Sequence, residues 1–181
     1  MIGMMAKEAE EKSASHEQLN SHRLRLAFWE KALEAFGQSS CSLYNNISPN
    51  KDHWLSAGSG LSAMAFNLIF SKNEVRVEFY MSRSQAEANQ FVFDRLQSQK
   101  AHIETKFGAP LTWQPLPNRK ACRIVFAKPV DGYDKANWPE MIQWLVEHMT
   151  RLEQALSGPL EKIKQELKAT DLNKEPVQDA E

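Results

Sequence analysis

A carboxylate sits in the middle of an apolar, strand-like run: Glu78 in VRVEFYM, residues 75–81. Restriction-type nucleases hold Mg²⁺ with an Asp and an (Asp/Glu)-x-Lys on neighbouring strands, because two carboxylates grip the ion and the lysine orients or deprotonates the attacking water. Here the triplet is Glu78-Phe79-Tyr80, so Tyr80 stands where that lysine belongs. Asp52 as a first carboxylate and Lys100 as a migrated lysine would complete the set only with two further assumptions. No catalytic residue, metal ligand or cofactor-binding residue is assigned. A buried carboxylate without a counter-charge is costly, so Glu78 is expected to pair with an arginine on the polar face of a sheet, and Arg123 and Arg76 are the candidates. A third arrangement gathers Arg76, Glu78, Tyr80, Lys100, Glu104 and Arg123 into a polar groove for an anion or a peptide.

The elements that must position these residues follow from periodicity. In LSAMAFNLIF the apolar positions Met64, Phe66, Leu68 and Phe70 alternate, as do Val75, Val77, Phe79 and Met81, and the turn SKNE joins the two runs. If Phe70 stands opposite Val75, every apolar residue meets another, Asn67 faces Glu78 and Ala65 faces Tyr80. A second hairpin is expected from LTWQPL and ACRIVFA around the turn PNRK, and HWLSAG supplies a preceding strand. The first helix is expected over about 21–36 with Gly37 at its end, and a central helix from Ser82 or Ser84, as cap, to about Phe107, closed by Gly108 and Pro110. On that helix Ala88, Val92, Leu96, Ile103 and Phe107 form the core stripe. Lys100 and Glu104 read most simply as a surface pair four residues apart.

A long last helix opens with Asn137 and Glu140 in capping-box spacing and carries Trp138, Ile142, Leu145, Met149, Leu152 and Leu156 as a packing stripe. Gly158-Pro159 is expected to kink or interrupt it. The fold class is thus α+β: an antiparallel sheet of about five strands, two hairpins plus a preceding strand, packed with a first helix, a central helix and a long C-terminal helix. The domain is placed at 19–168, between a disordered N-terminal segment, 1–18, and a disordered acidic tail, 169–181.

FW at Phe28-Trp29, WLSAGSG at 54–60, VRVEFY at 75–80, FDRLQSQKAHIETKFGAPLTW at 93–113, ACRI at 121–124 and WLVEHMTRLEQAL at 144–156 carry a resemblance over 28–168. In order and spacing they resemble a bacterial domain of unknown function, family 4268, whose members occur alone or C-terminal to restriction-endonuclease-like nuclease domains. The chain looks like the stand-alone form. The resemblance implies a neighbourhood of restriction and defence, which is association and not mechanism.

Other chemistries find little support. With 42% hydrophobic and 25% charged residues, 181 residues suffice for one cored domain. Cys41 and Cys122 match neither a zinc spacing nor a disulfide framework, which suggests a reducing, cytoplasmic setting. No run is apolar enough for a signal peptide or a bilayer span, so no membrane partner is expected. Net charge is −1, but both termini are acidic and the middle is mildly positive; that permits phosphate contacts yet falls short of a nucleic-acid footprint, leaving direct nucleic-acid binding open. Trp54, Trp113, Trp138 and Trp144 sit beside core positions and read as packing residues in preference to a base-stacking platform. GSG at 58–60 lies between strands and lacks the rest of a phosphate loop, so it reads as a turn. His53, His102 and His148 show no metal or catalytic spacing. The function these readings favour is a non-enzymatic recognition or assembly module associated with bacterial DNA-restriction or defence systems. Its expected partners are a restriction or nucleic-acid-handling protein or a second copy in a homodimer. A divergent metal-dependent nuclease using Glu78 and a purely structural homodimer are the alternatives.

Overall fold

The computed structural model describes residues 2–115 and 121–170, with side chains from residue 15 onward. The expected turn at 117–120 and all of the acidic tail beyond residue 170 lie outside the described residues. In chain order the elements are α1 (Ile2–Gly37), β1 (Trp54–Gly58), β2 (Met64–Phe70), β3 (Glu74–Met81), α2 (Ala86–Gln97), α3 (Lys100–Phe107), β4 (Thr112–Pro115), β5 (Cys122–Pro129) and α4 (Trp138–Lys168), the last preceded by a 3₁₀ turn at Lys135–Asn137.

The five strands form one antiparallel sheet in the order β1-β2-β3-β5-β4, the α+β architecture expected. The β2–β3 register is the one that buries both apolar faces: Phe70 opposite Val75, Leu68 opposite Val77, Phe66 opposite Phe79 and Met64 opposite Met81. β5 continues that face, with Ile124 opposite Phe79 and Phe126 opposite Val77. Onto it pack the helices, α4 against β2 and β3 and α2 against β3, β4 and β5. Leu145, Met149, Leu152 and Leu156 of α4 are fully buried there, and Trp138 closes an aromatic cluster with Phe28 and Phe70. Burial of this stripe, at roughly 1.5–3 kcal/mol per large apolar side chain, is the main force holding α4 to the sheet.

Five local expectations are corrected. The first helix begins at Ile2, well before Ser21, because the polar stretch ahead of it is rich in alanine, glutamate and lysine, the best helix formers. The central helix is two helices: α2 ends at Gln97 and α3 starts at Lys100, with Ser98 and Gln99 between them, and both helices bury their apolar residues, Leu96 from α2 and Ile103 and Phe107 from α3. Neither Ser82 nor Ser84 caps α2. Instead Asn89, fully buried, accepts from Arg83 N at 2.9 Å and donates to Arg83 O at 2.8 Å, fastening the incoming chain to the first turn. Asn137 makes no cap bond to α4 either; Asp134 caps the 3₁₀ turn ahead of it, accepting from Ala136 N at 3.0 Å.

Gly158-Pro159 does not interrupt α4, which runs unbroken to Lys168. Pro159 is itself buried, and Leu160, Ile163 and Leu167 continue the stripe beyond it, so packing on both sides of the proline outweighs its missing N–H. Gly108 does end α3, with a left-handed φ of 97°.

Candidate functional site

With the helices on one face, the other face of the sheet is covered by none of the described elements' apolar stripes, and its side chains follow from the pairing register. One row crosses the strands as Trp54, Ile69, Arg76 and Ala127; the next as Ser56, Asn67, Glu78, Val125 and Thr112; the third as Gly58, Ala65, Tyr80, Arg123 and Gln114. Small residues, Ser56 on β1, Ala65 on β2 and Ala63 just before it, line a depression of about 490 Å³. Trp54 and His53 bound it at one end and Tyr80 and Arg123 at the other. With strands about 4.8 Å apart, β1 and β5 lie roughly 14 Å from each other across this face.

Glu78 is at the centre, 3% exposed. Its Oε1 accepts from Arg76 Nη2 at 3.1 Å, while Arg76 Nη1 donates to Glu74 Oε1 at 2.8 Å. The Glu78 partner is therefore Arg76, two residues along the same strand, and not Arg123. Arg123 stands opposite Tyr80 and Gln114, and its Nε donates to Gln114 Oε1. Directly paired positions on antiparallel strands are closer than diagonal ones, and Glu78 is diagonal to Arg123, so the neutral amide wins the guanidinium. Beside the ion pair, Asn67, 8% exposed, accepts from Ser56 Oγ at 2.6 Å.

The structure thus brings Arg76, Glu78, Tyr80 and Arg123 together and leaves Lys100 and Glu104 out. Those two are on α3, in the helical layer. They make no ion pair with each other: Glu104 Oε2 accepts from Leu111 N at 2.6 Å and from Trp113 Nε1 at 3.4 Å. The glutamate ties the end of α3 to the start of β4, which corrects the surface-pair expectation. Asp52 takes no place in a carboxylate pair with Glu78; the segment is held by its backbone, Asp52 O accepting from Trp29 Nε1 at 2.8 Å. Among the described residues no group of three His, Cys, Asp or Glu is close enough to hold a metal ion.

Of the tryptophans, Trp138 is buried, Trp113 packs edge-on to Phe93, and Trp144 stacks with Phe126 and His148. Trp54 is the exception at 40% exposure, on the open face. Alternation along WLSAG carries this outcome, since Leu55 and Ala57 point to the core and Trp54 must point away. His148 lies between aromatic rings, 4.3 Å from Trp144 and 5.2 Å from Phe126, and burial holds its pKa below the ordinary histidine value. His53 is lowered too, by the packing around its ring first and then by the charges of Arg25 and Arg76.

Both cysteines are buried and free. Cys41 Sγ donates to Glu153 Oε2 at 3.4 Å, and burial pushes its pKa up to about 11. Tyr44, buried beside it, donates to Phe66 O at 2.8 Å, and burial raises its pKa well above the usual tyrosine value. Among the described residues no helix is long and apolar enough to cross a membrane.

No curated protein and no solved structure matches the chain. A family model does, over residues 24–160, from the last turns of α1 that enter the core to Leu160, beyond Pro159 in α4. That span contains the whole sheet and the open-face cluster, and the chain belongs to the family described as domain of unknown function DUF4268.

Proposed function

We propose that the chain is a non-enzymatic recognition module that docks a protein partner on the open face of its sheet, within bacterial DNA-restriction or defence systems. The observation that carries this reading is the residue set on that face. Trp54, Tyr80, Arg76 and Arg123 are the types most enriched at binding hot spots, and they stand around a depression on a sheet face that none of the described helices covers. Both guanidiniums are fixed in place, Arg76 by Glu74 and Glu78 and Arg123 by Gln114, so docking would lose little side-chain entropy. The formal charges on the face nearly cancel, Arg76 and Arg123 against Glu74 and Glu78, which suits a mixed polar protein surface better than a polyanion.

The restriction or defence setting rests on the resemblance alone. For the alternative, a nuclease using Glu78, the difficulty is that the Arg76 guanidinium occupies the flank of the carboxylate where a cation would bind, and Tyr80 replaces the lysine. A photo-crosslinking residue placed at Ser56, on the open face, and at Lys106, on the helical side, distinguishes the readings in the native host. Adducts from Ser56 to a restriction or nucleic-acid-handling protein support the proposal. Adducts only to a second copy of the chain favour the structural homodimer. Adducts from Lys106 alone refute an open-face interface.

A further inference from the structure

Among the described residues three large apolar side chains are exposed: Leu19 at 52%, Leu26 at 38% and Trp54 at 40%. Trp54 belongs to the open face of the sheet. Leu19 and Leu26 stand seven residues apart on α1, and Leu33, half-buried at the edge of the core, follows at the same interval. That interval is close to two full turns, so the three leucines form one row along the helix. α1 turns Phe28, Trp29, Ala32 and Phe36 into the core, each 0% exposed, and the leucine row runs beside that buried face.

Arg23 and Glu30 stand between the leucines, so the series Leu19, Arg23, Leu26, Glu30, Leu33 advances in alternating steps of four and three. This alternation is the seam of a coiled coil, which a second helix running alongside would match. Arg23 and Glu30 are both exposed, and neither forms an ion pair among the described residues. On one helix they are about 10 Å apart along the axis, too far to answer each other. Their opposite signs select the occupant. A second α1 laid parallel would set Arg23 against Arg23 and Glu30 against Glu30. Laid antiparallel about Leu26, it interleaves the leucines of the two copies and brings Arg23 within one turn of Glu30 of the second copy, a contact that the two-fold axis repeats. We propose that the chain forms a homodimer through this seam, α1 antiparallel to α1 of a second copy. The charged positions give up some of the seam's stability and fix its direction.

The seam shares no residue with the depression on the sheet, so the crosslinks from Ser56 and the dimer can each fail without touching the other. Sedimentation velocity of the purified full chain across the micromolar range should show a monomer–dimer equilibrium. Arg23→Glu and Glu30→Arg each set like charges at both contacts, and each should weaken the dimer about tenfold or more. An equimolar mixture of those two variants restores opposite charges at both contacts and should form a heterodimer of about native affinity. The double variant Arg23→Glu/Glu30→Arg should likewise recover the homodimer. Both side chains are exposed, so circular dichroism should report the native helix content in every variant. A chain that stays monomeric throughout overturns the proposal. So does a dimer that Arg23→Glu leaves as tight as before, or a pair of single variants that remains monomeric when mixed.

Discussion

Replacing Arg76 by methionine should be among the most damaging single changes on the open face. The methionine keeps most of the arginine stem, so what is lost is the guanidinium, and with it the 3.1 Å bond to a carboxylate that is 3% exposed. The bond to Glu74, whose side chain is 34% exposed, contributes little by comparison, at most ~1 kcal/mol. Leaving Glu78 buried and unpaired costs about 3–5 kcal/mol. For a domain of this size that lowers the thermal midpoint by about 10 °C. Denaturant unfolding followed by circular dichroism measures the loss as a shift in midpoint at constant slope. The decisive comparison adds Glu78→Met. Removing the stranded charge should recover most of the stability, with a coupling of about 2–3 kcal/mol between the two positions. Arg123→Met, which gives up a bond to a neutral amide, should cost only about 1 kcal/mol. The reasoning fails if Arg76→Met costs less than Arg123→Met, or if the double variant is no more stable than Arg76→Met alone.

Three further outcomes follow from the same geometry. A Cβ on Gly132 would lie 2.0 Å from Ser71 O, where the β2–β3 turn meets the segment leading to α4, so Gly132→Ala should destabilise by roughly 1–3 kcal/mol or more in equilibrium unfolding. His148 and His53 have folded-state pKa values below the ordinary 6.5, so the unfolded chain takes up their protons first. Stability should be full above about pH 6.5 and fall as the pH drops through the folded values; denaturant midpoints across that range read the slope, which His148→Phe should flatten. Cys41 and Cys122 should resist iodoacetamide in the native protein at neutral pH and become labelled at the rate of global unfolding, because both are buried and the Cys41 thiol is pushed up to about 11.

How far the sequence reaches is visible in particular residues. The β2–β3 hairpin was legible to the residue: two alternating runs joined by a short turn admit one register that buries all eight apolar side chains, and Asn67 opposite Glu78 follows. The α4 stripe was legible for the same reason. The arginine that pairs with Glu78 was not, because β5 reaches β3 only after two helices and another strand, and no local pattern fixes that offset. Lys100 and Glu104 entered the expected groove through helical spacing alone. Glu104 bonds to Leu111 N, a contact set by how the chain turns after Gly108. The break between α2 and α3 and the continuity of α4 through Pro159 are both tertiary decisions, in which core packing overrides local propensity. The exposure of Trp54 was within reach of alternation along β1, since Leu55 and Ala57 must point to the core.

The most direct measurement is site-specific crosslinking in the native host from Ser56 on the open face, with and without Arg123→Glu. The account predicts adducts to a partner protein from Ser56 that the reversed charge at Arg123 abolishes while the fold, checked by its unfolding midpoint, is kept. Adducts that persist unchanged with Arg123→Glu, or that arise only from Lys106 on the helical side, would contradict it.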